Sequence, residues 1–260
     1  MTVDWDKMFD TYSRHARVYP ALLVLLPFLF TAIAWFPSIV ASNIVDAALS
    51  LAVTCGLLYM LASFSRTMGK RHEKRLLAVW GGWPTALWLR HADANLPVQT
   101  KTRYHAFFTQ HVPGLNLPTA EAEALDLAAA HGAYDSAVGW LKEQCRSKEF
   151  ELVHRENAQY GFRRNMRGLR SIGILISIGS IMFSLVYIAV IAYFVEAATP
   201  FSEIARTTPP LVGIAGAFSL LALIAWVFLV RDAWVREAGD QYARALLANC
   251  DTLNMGSNAG

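Results

Sequence analysis

One stretch restricts this chain more than any other. From Phe150 to Ala197 no proline occurs, and the character changes once along the way. The first half is charged, with Glu151, His154, Arg155, Glu156, Arg163, Arg164, Arg167 and Arg170. From Ile172 to Val195 every residue is apolar, small or weakly polar. At about 1.5 Å per residue a continuous helix here is roughly 70 Å long, more than twice a ~30 Å hydrocarbon core. Such a rod would join a soluble domain to a membrane span and could carry a signal along its length.

The rest of the chain fits that frame. Hydrophobic residues make up 55% of 260 and charged residues 17%, with a mean hydropathy of +0.32. The charges are gathered in blocks, as in integral membrane proteins. A first span is expected from Val18 to Phe36, with Pro20 in its first turn, a kink at Pro27 and a stop at Pro37. A second runs from Ile39 to Phe64 and passes into Arg66, Lys70, Arg71, Lys74 and Arg75. The third is Ile172–Val195. The fourth is Leu211–Val230, opened by Pro209 and Pro210. The apolar positions Trp5, Met8, Phe9 and Tyr12 give residues 1–17 the spacing of an amphipathic helix, lying at the headgroups or packed on the protein. Its aspartates, with no cleavage site after the first apolar run, do not match a signal peptide.

Basic residues set the orientation. Of 23 Lys and Arg, 16 fall in residues 66–170, three precede the first span, three follow the fourth, and Arg206 alone is in an outside loop. The positive-inside rule then places the central segment and both termini in the cytoplasm. The expected fold is an all-α membrane protein of four transmembrane helices in two hairpins, with a helical cytoplasmic domain inserted between them. Its parts are an interfacial helix (1–17), hairpin 1 (18–65), the cytoplasmic domain (66–170), hairpin 2 (171–231) and a C-terminal helix and tail (232–260). Within the domain, helices are expected near 66–80, 85–92, 99–111, 120–131 and 135–146. Breaks are expected at Gly81-Gly82, Pro97, Pro113-Gly114, Pro118 and Gly132, and N-caps at Thr119 and Asp135.

Enzyme signatures are missing: no phosphate-binding glycine loop, no metalloprotease histidine pair, no serine elbow. No catalytic residue, cofactor or metal site is expected. Arg90, His91 and Asp93, with His105 further on, are the nearest to an acid–base cluster, and a solvated helix end accounts for them as well. Cys55, Cys145 and Cys250 have no metal or disulfide spacing and read as reduced thiols.

Other features allow two readings each. Gly173, Ser177, Ser180 and Ser184 fall on one helix face, either for helix packing or to line a narrow aqueous path. Asp46 is either a first-turn acid behind an Asn43 cap or part of a pore mouth with Glu196 and Glu203. Lys101, Arg103, Tyr104 and His105, and again Tyr160, Arg163 and Arg164, interleave basic and aromatic side chains. Such a pattern is either a surface for a nucleotide or single-stranded oligonucleotide or ordinary core packing and positive-inside topology. For Arg167 and Arg170, beside the span, contact with anionic lipid is sufficient. Glu156 and Tyr160 share a face, as do Asn157 and Arg164, so that Glu156, Asn157, Tyr160 and Arg167 are candidates for coupling domain to span.

Gly81-Gly82-Trp83-Pro84-Thr85, Arg103-Tyr104-His105, Glu156-Asn157 and Tyr160-Gly161-Phe162-Arg163-Arg164-Asn165 together resemble bacterial four-span membrane proteins of anti-phage defence systems. In layout the chain is similar to the membrane effector of the Hailong system. That resemblance implies an oligomeric inner-membrane channel with a cytoplasmic gate, and a partner nucleotidyltransferase whose oligonucleotide product holds the channel shut. The competing expectation is a non-conducting scaffold that docks a protein partner through Trp80, Trp83 and Trp88.

Overall fold

The structure is a computed structural model, and it describes residues 14–36, 44–194 and 208–257. Residues 1–13 of the expected amphipathic helix, Pro37, Asn43, Glu196, Glu203 and Arg206 lie outside the described residues, as does the side chain of Asp46. Every regular element among the described residues is helical. A π-turn at Arg14–Val18 leads into α1 (Tyr19–Trp35), followed by α2 (Ile44–Trp80), α3 (Pro84–Leu87), α4 (Val98–His111) and α5 (Ala120–Leu125). Then come α6 (Leu127–Gln144), α7 (Glu151–Phe194), α8 (Pro210–Phe228), α9 (Asp232–Leu247) and α10 (Asn249–Ser257).

Three helical stretches are long and apolar enough to cross a membrane: Arg14–Trp35, Glu151–Phe194 and Pro210–Phe228. The second expected span, Ile39–Phe64, lies partly outside the described residues. Its described part belongs to α2 and turns Val53, Leu57, Met60 and Phe64 outward. The expectation of an unbroken rod is met, since α7 is a single helix of 44 residues. Helix α1 runs through Pro27, the position of the expected kink. The ring cannot donate to the Leu23 carbonyl, and the Thr31 hydroxyl donates to the Pro27 carbonyl at 2.8 Å.

The chain forms two compact units. The first takes residues up to His72 and Gly161–Trp234; the second takes Glu73–Tyr160 and Val235 onward. In the first, Phe30 meets Phe218 edge-on with centroids 4.7 Å apart, and Trp35 meets Phe183 and Tyr187 at 5.7 and 5.2 Å. Leu175, Met182, Phe183, Ile214 and Leu221 are more than half exposed. Water would penalise such a surface and lipid does not.

The second unit has a core of its own, built from Trp88, Leu89, Tyr104, Phe107, Phe108, Tyr134, Leu141, Leu246 and Leu247. The C-terminal helix α9, set apart in the sequence reading, supplies part of it. Helix α2 stops where Gly81 and Gly82 take φ of +80° and +138°. At Gly82 a Cβ would also lie 2.5 Å from the His131 ring, so the position is closed to other residues.

Two helix boundaries differ from expectation. The predicted 85–92 helix lasts only from Pro84 to Leu87, because beyond it the carbonyls of Arg90, His91 and Asp93 turn to the Lys101 ammonium. The predicted break at Gly132 falls at Asp126 instead. The Asp126 carboxylate accepts from the amides of Ala128 and Ala129 at 3.1 and 2.9 Å and caps α6. Asp135 is therefore inside α6 and faces His131 at 3.4 Å. Thr119 caps α5 as expected, accepting from Ala122.

Candidate functional site

The densest polar arrangement in the first unit is built on two glycines. A Cβ on Gly168 of α7 would lie 2.5 Å from the Gly69 amide nitrogen of α2 and 2.7 Å from the Met68 carbonyl carbon. The backbones therefore cross with no side chain between them, the approach that small residues permit between membrane helices. Asn165 is beside the crossing and fully buried. Its amide nitrogen donates to the Ala16 carbonyl at 2.6 Å, and its oxygen accepts from Arg164 Nε at 3.1 Å. All three groups are paired, which burial demands.

Two residues further along α7, Arg167 Nε donates to Asp232 Oδ1 at 2.6 Å. His72 Nε2, from α2, donates to the same oxygen at 2.7 Å. Burial works to raise the Asp232 pKa, but the hydrogen bonds from His72 and Arg167 outweigh it and hold the carboxyl below its usual range. Asp232 is also in the first turn of α9, where the helix dipole favours an acid. A single carboxylate thus ties three helices together.

The next arginine caps α8. Arg170 Nε and a terminal nitrogen donate to the carbonyls of Trp226 and Val227, each at 3.0 Å. These carbonyls end a helix and lack intrahelical donors. Arg163 donates to the Trp234 carbonyl at 3.0 Å, and its guanidinium lies 5.1 Å from that residue's ring centroid. Arg163, Arg164, Arg167 and Arg170 all act as struts within the chain.

Beyond the arginines, Ser177, Ser180 and Ser184 are buried. Ser177 donates to the Gly173 carbonyl at 2.7 Å and Ser184 to that of Ser180 at 3.0 Å. Trp226 lies against Gly173, and a Cβ on Gly216 would be 3.4 Å from the Ser184 Cβ. Within one chain this stripe is a packed seam between α7 and α8.

In the second unit the expected ligand surface is largely turned inward. Lys101 is 5% exposed, and its ammonium donates to the carbonyls of Arg90, His91 and Asp93 at 2.6, 3.2 and 2.5 Å. Tyr104 is buried, and its hydroxyl pKa is pushed up to about 12 by burial and by the charge of Asp251. His105 directs Nε2 at the Leu89 carbonyl, 2.7 Å away, and burial lowers its pKa. Arg103 is exposed and makes a two-pronged pair with Asp251, at 2.6 and 2.9 Å. Glu123, also buried, accepts from the Tyr134 hydroxyl at 2.6 Å and the His91 amide at 2.9 Å. Arg90 turns to the Gly81 carbonyl and to His131, and His91 to the Pro118 carbonyl. The surface read from sequence is thus corrected: Lys101 and Tyr104 hold the domain together, and Arg103 is the exposed cation of that group.

The residues proposed for coupling all lie on α7, which keeps Glu156 with Tyr160 and Asn157 with Arg164 on a shared face. Tyr160 donates to Glu73 Oε1 at 3.1 Å, both buried, and Glu156 faces Arg155 at 3.4 Å. Asn157 is half-buried. Of the tryptophans read as docking anchors, Trp88 is buried with Arg244 above its ring, Trp80 carries Arg236 and Trp83 meets Tyr160 and Lys142. Among the described residues no group of three His, Cys, Asp or Glu is placed to hold a metal. Cys145 and Cys250 are buried free thiols, and burial raises the pKa of Cys145 to about 11.

Sequence reasoning missed Gly69, His72, Glu73, Asn165, Gly168 and Asp232. One signal for Asn165 was present, because Asn165, Leu169, Gly173 and Ser177 recur every four residues and extend the small-residue stripe. Comparisons with protein-family models, with curated proteins and with solved structures find no match.

Proposed function

We infer that the chain is an oligomeric inner-membrane effector of four spans. In this reading it conducts ions, depolarises the membrane in anti-phage defence, and is gated through its cytoplasmic domain by a nucleotide-type ligand. Hairpin 1 comprises α1 and the membrane part of α2, and hairpin 2 comprises the membrane part of α7 with α8. Both termini and the second unit are cytoplasmic in this reading, which the distribution of Lys and Arg supports.

The observation that carries this reading is α7. One helix of 44 residues holds a candidate span and, just before it, the glycine crossing and the Asp232 junction. A gate at this level works by exchanging those polar partners. Opening would move His72 and Arg167 on Asp232, and the Ser177–Ser184 seam would loosen or pass to a neighbouring subunit.

For the ligand, the geometry favours Arg103 over the remainder of the surface read from sequence. Its guanidinium is exposed, and Asp251 is a partner that a phosphate can replace. A second surface, a groove of about 960 Å³ lined by Phe150, Arg155, Ala248, Asn249 and Thr252, also contains Glu149 and Glu151, which repel polyanions.

The test is single-channel current from purified protein in a planar bilayer, with short oligonucleotides added on the domain side. Discrete currents that oligonucleotides suppress, and that Arg103→Gln frees from suppression, are expected. Silence from folded, oligomeric protein would replace this reading with the non-conducting scaffold.

A further inference from the structure

Helix α2 has a feature that gating does not use. A groove of about 490 Å³ lies along it, and the described residues lining it, all from α2, include Leu57, Met60, Leu61, Ser63, Phe64 and Thr67. Leu57, Met60, Phe64 and Thr67 are spaced 3, 4 and 3, which keeps them on one face. The next residue on that stripe, four further on, is Arg71. Lys70 lies on the side of Ser63 and Arg66 on the side of Tyr59, which also lines the groove. Arg66, Lys70 and Arg71 are all exposed.

We propose that this face of α2 is a binding site for an anionic phospholipid, with an acyl chain along Leu57–Thr67 and the phosphate on Arg71, Lys70 and Arg66. Three observations support the assignment. First, the lining from Leu57 to Thr67 rises about 15 Å, half of a ~30 Å hydrocarbon core and therefore the depth of one leaflet. Second, on the four-span reading proposed above, the change from apolar to cationic comes at the headgroup end, where each basic side chain near an anionic surface contributes about 1 kcal/mol. Third, the charge argues against the main competing occupant. A second copy packed symmetrically on this face would bring the same cations together. A free phosphate would use the arginines and leave the groove unused.

Native mass spectrometry of the full chain in detergent tests this, with dioleoylphosphatidylglycerol and dioleoylphosphatidylcholine titrated separately. The anionic lipid is expected to give retained adducts at clearly lower concentration. Arg71→Gln is expected to raise the concentration required by roughly fivefold. Met60→Trp, which fills the groove and leaves the charges intact, is expected to weaken adducts of both lipids. Excess glycerol phosphate is expected to displace neither.

Equal retention of the two lipids would overturn the proposal, as would an unchanged Arg71→Gln. Displacement by glycerol phosphate would mean a soluble phosphate site instead, and a protein dimer abolished by Met60→Trp would mean a second copy. Should Arg71→Gln fail to fold, Arg66→Gln at the rim takes its place, with loss of anionic preference again the expected result and full retention the contrary one.

Discussion

The alpha carbon of Gly168 faces the backbone of Gly69 so closely that a Cβ on the former would sit 2.5 Å from the latter's nitrogen. No rotamer relieves such a clash, because the obstacle is main chain. Gly168→Val is expected to destabilise the folded protein by about 1–3 kcal/mol or to prevent folding. Gly179→Val, on the same helix with nothing within 4 Å of its Cβ, is expected to be tolerated. Thermal melting in detergent, followed by size-exclusion chromatography, compares the two.

Asp232 gives a pH dependence with a definite sign. Its folded pKa is below the ordinary 3.8, so the unfolded chain binds the proton first as pH falls. Its stabilising contribution is complete above the unfolded value and is lost as pH drops toward the folded one. The melting temperature of Asp232→Asn should be lower than wild type at neutral pH and should vary less below pH 4. A parallel decline of the two curves in that range would rule out Asp232 as the titrating group.

His105 predicts a second, separate window. Burial lowers its folded pKa from 6.5, so the unfolded state takes up the proton first and stability falls as pH drops below that value. Replacing it with Gln, which can still donate to the Leu89 carbonyl, should flatten the stability profile between pH 6.5 and 5. The measurement is urea unfolding of the full chain at several pH values, read by tryptophan fluorescence.

Lys101 is expected to behave as a structural residue. Lys101→Met retains the stem and removes the three bonds to the carbonyls of Arg90, His91 and Asp93, and about 2–3 kcal/mol of stability should go with them. On the function proposed above, suppression of current by oligonucleotide, measured on the folded fraction, should be unchanged. A large loss of block with stability intact would return Lys101 to the ligand surface.

Much of the architecture was legible because two strong signals agree. Apolar length marked the three helices long and apolar enough to cross a membrane, and proline and glycine marked most of the breaks. The C-terminal helix was read as starting at residue 232, where the structure starts it. The boundary at Gly132 failed because a glycine inside a helix costs only about 1 kcal/mol, whereas Asp126 offers two amides an acceptor. The polar site was harder to read. Lys101 recurs with Tyr104 and Phe108 at spacings of three and four, so helical periodicity already placed it on the buried face. Its charge suggested a surface instead. Asp232 and His72 are 160 residues apart, and no local pattern links them.

The Asn165 bond also has a consequence for the order of synthesis. Its acceptor, the Ala16 carbonyl, precedes it by 149 residues. A ribosome releases the N-terminal part first. The turn before α1 and the Gly69 face of α2 therefore emerge long before the amide and glycine that complete them. During that interval the early helices need a temporary partner, such as lipid, an insertase or a chaperone, for surfaces that the finished protein conceals.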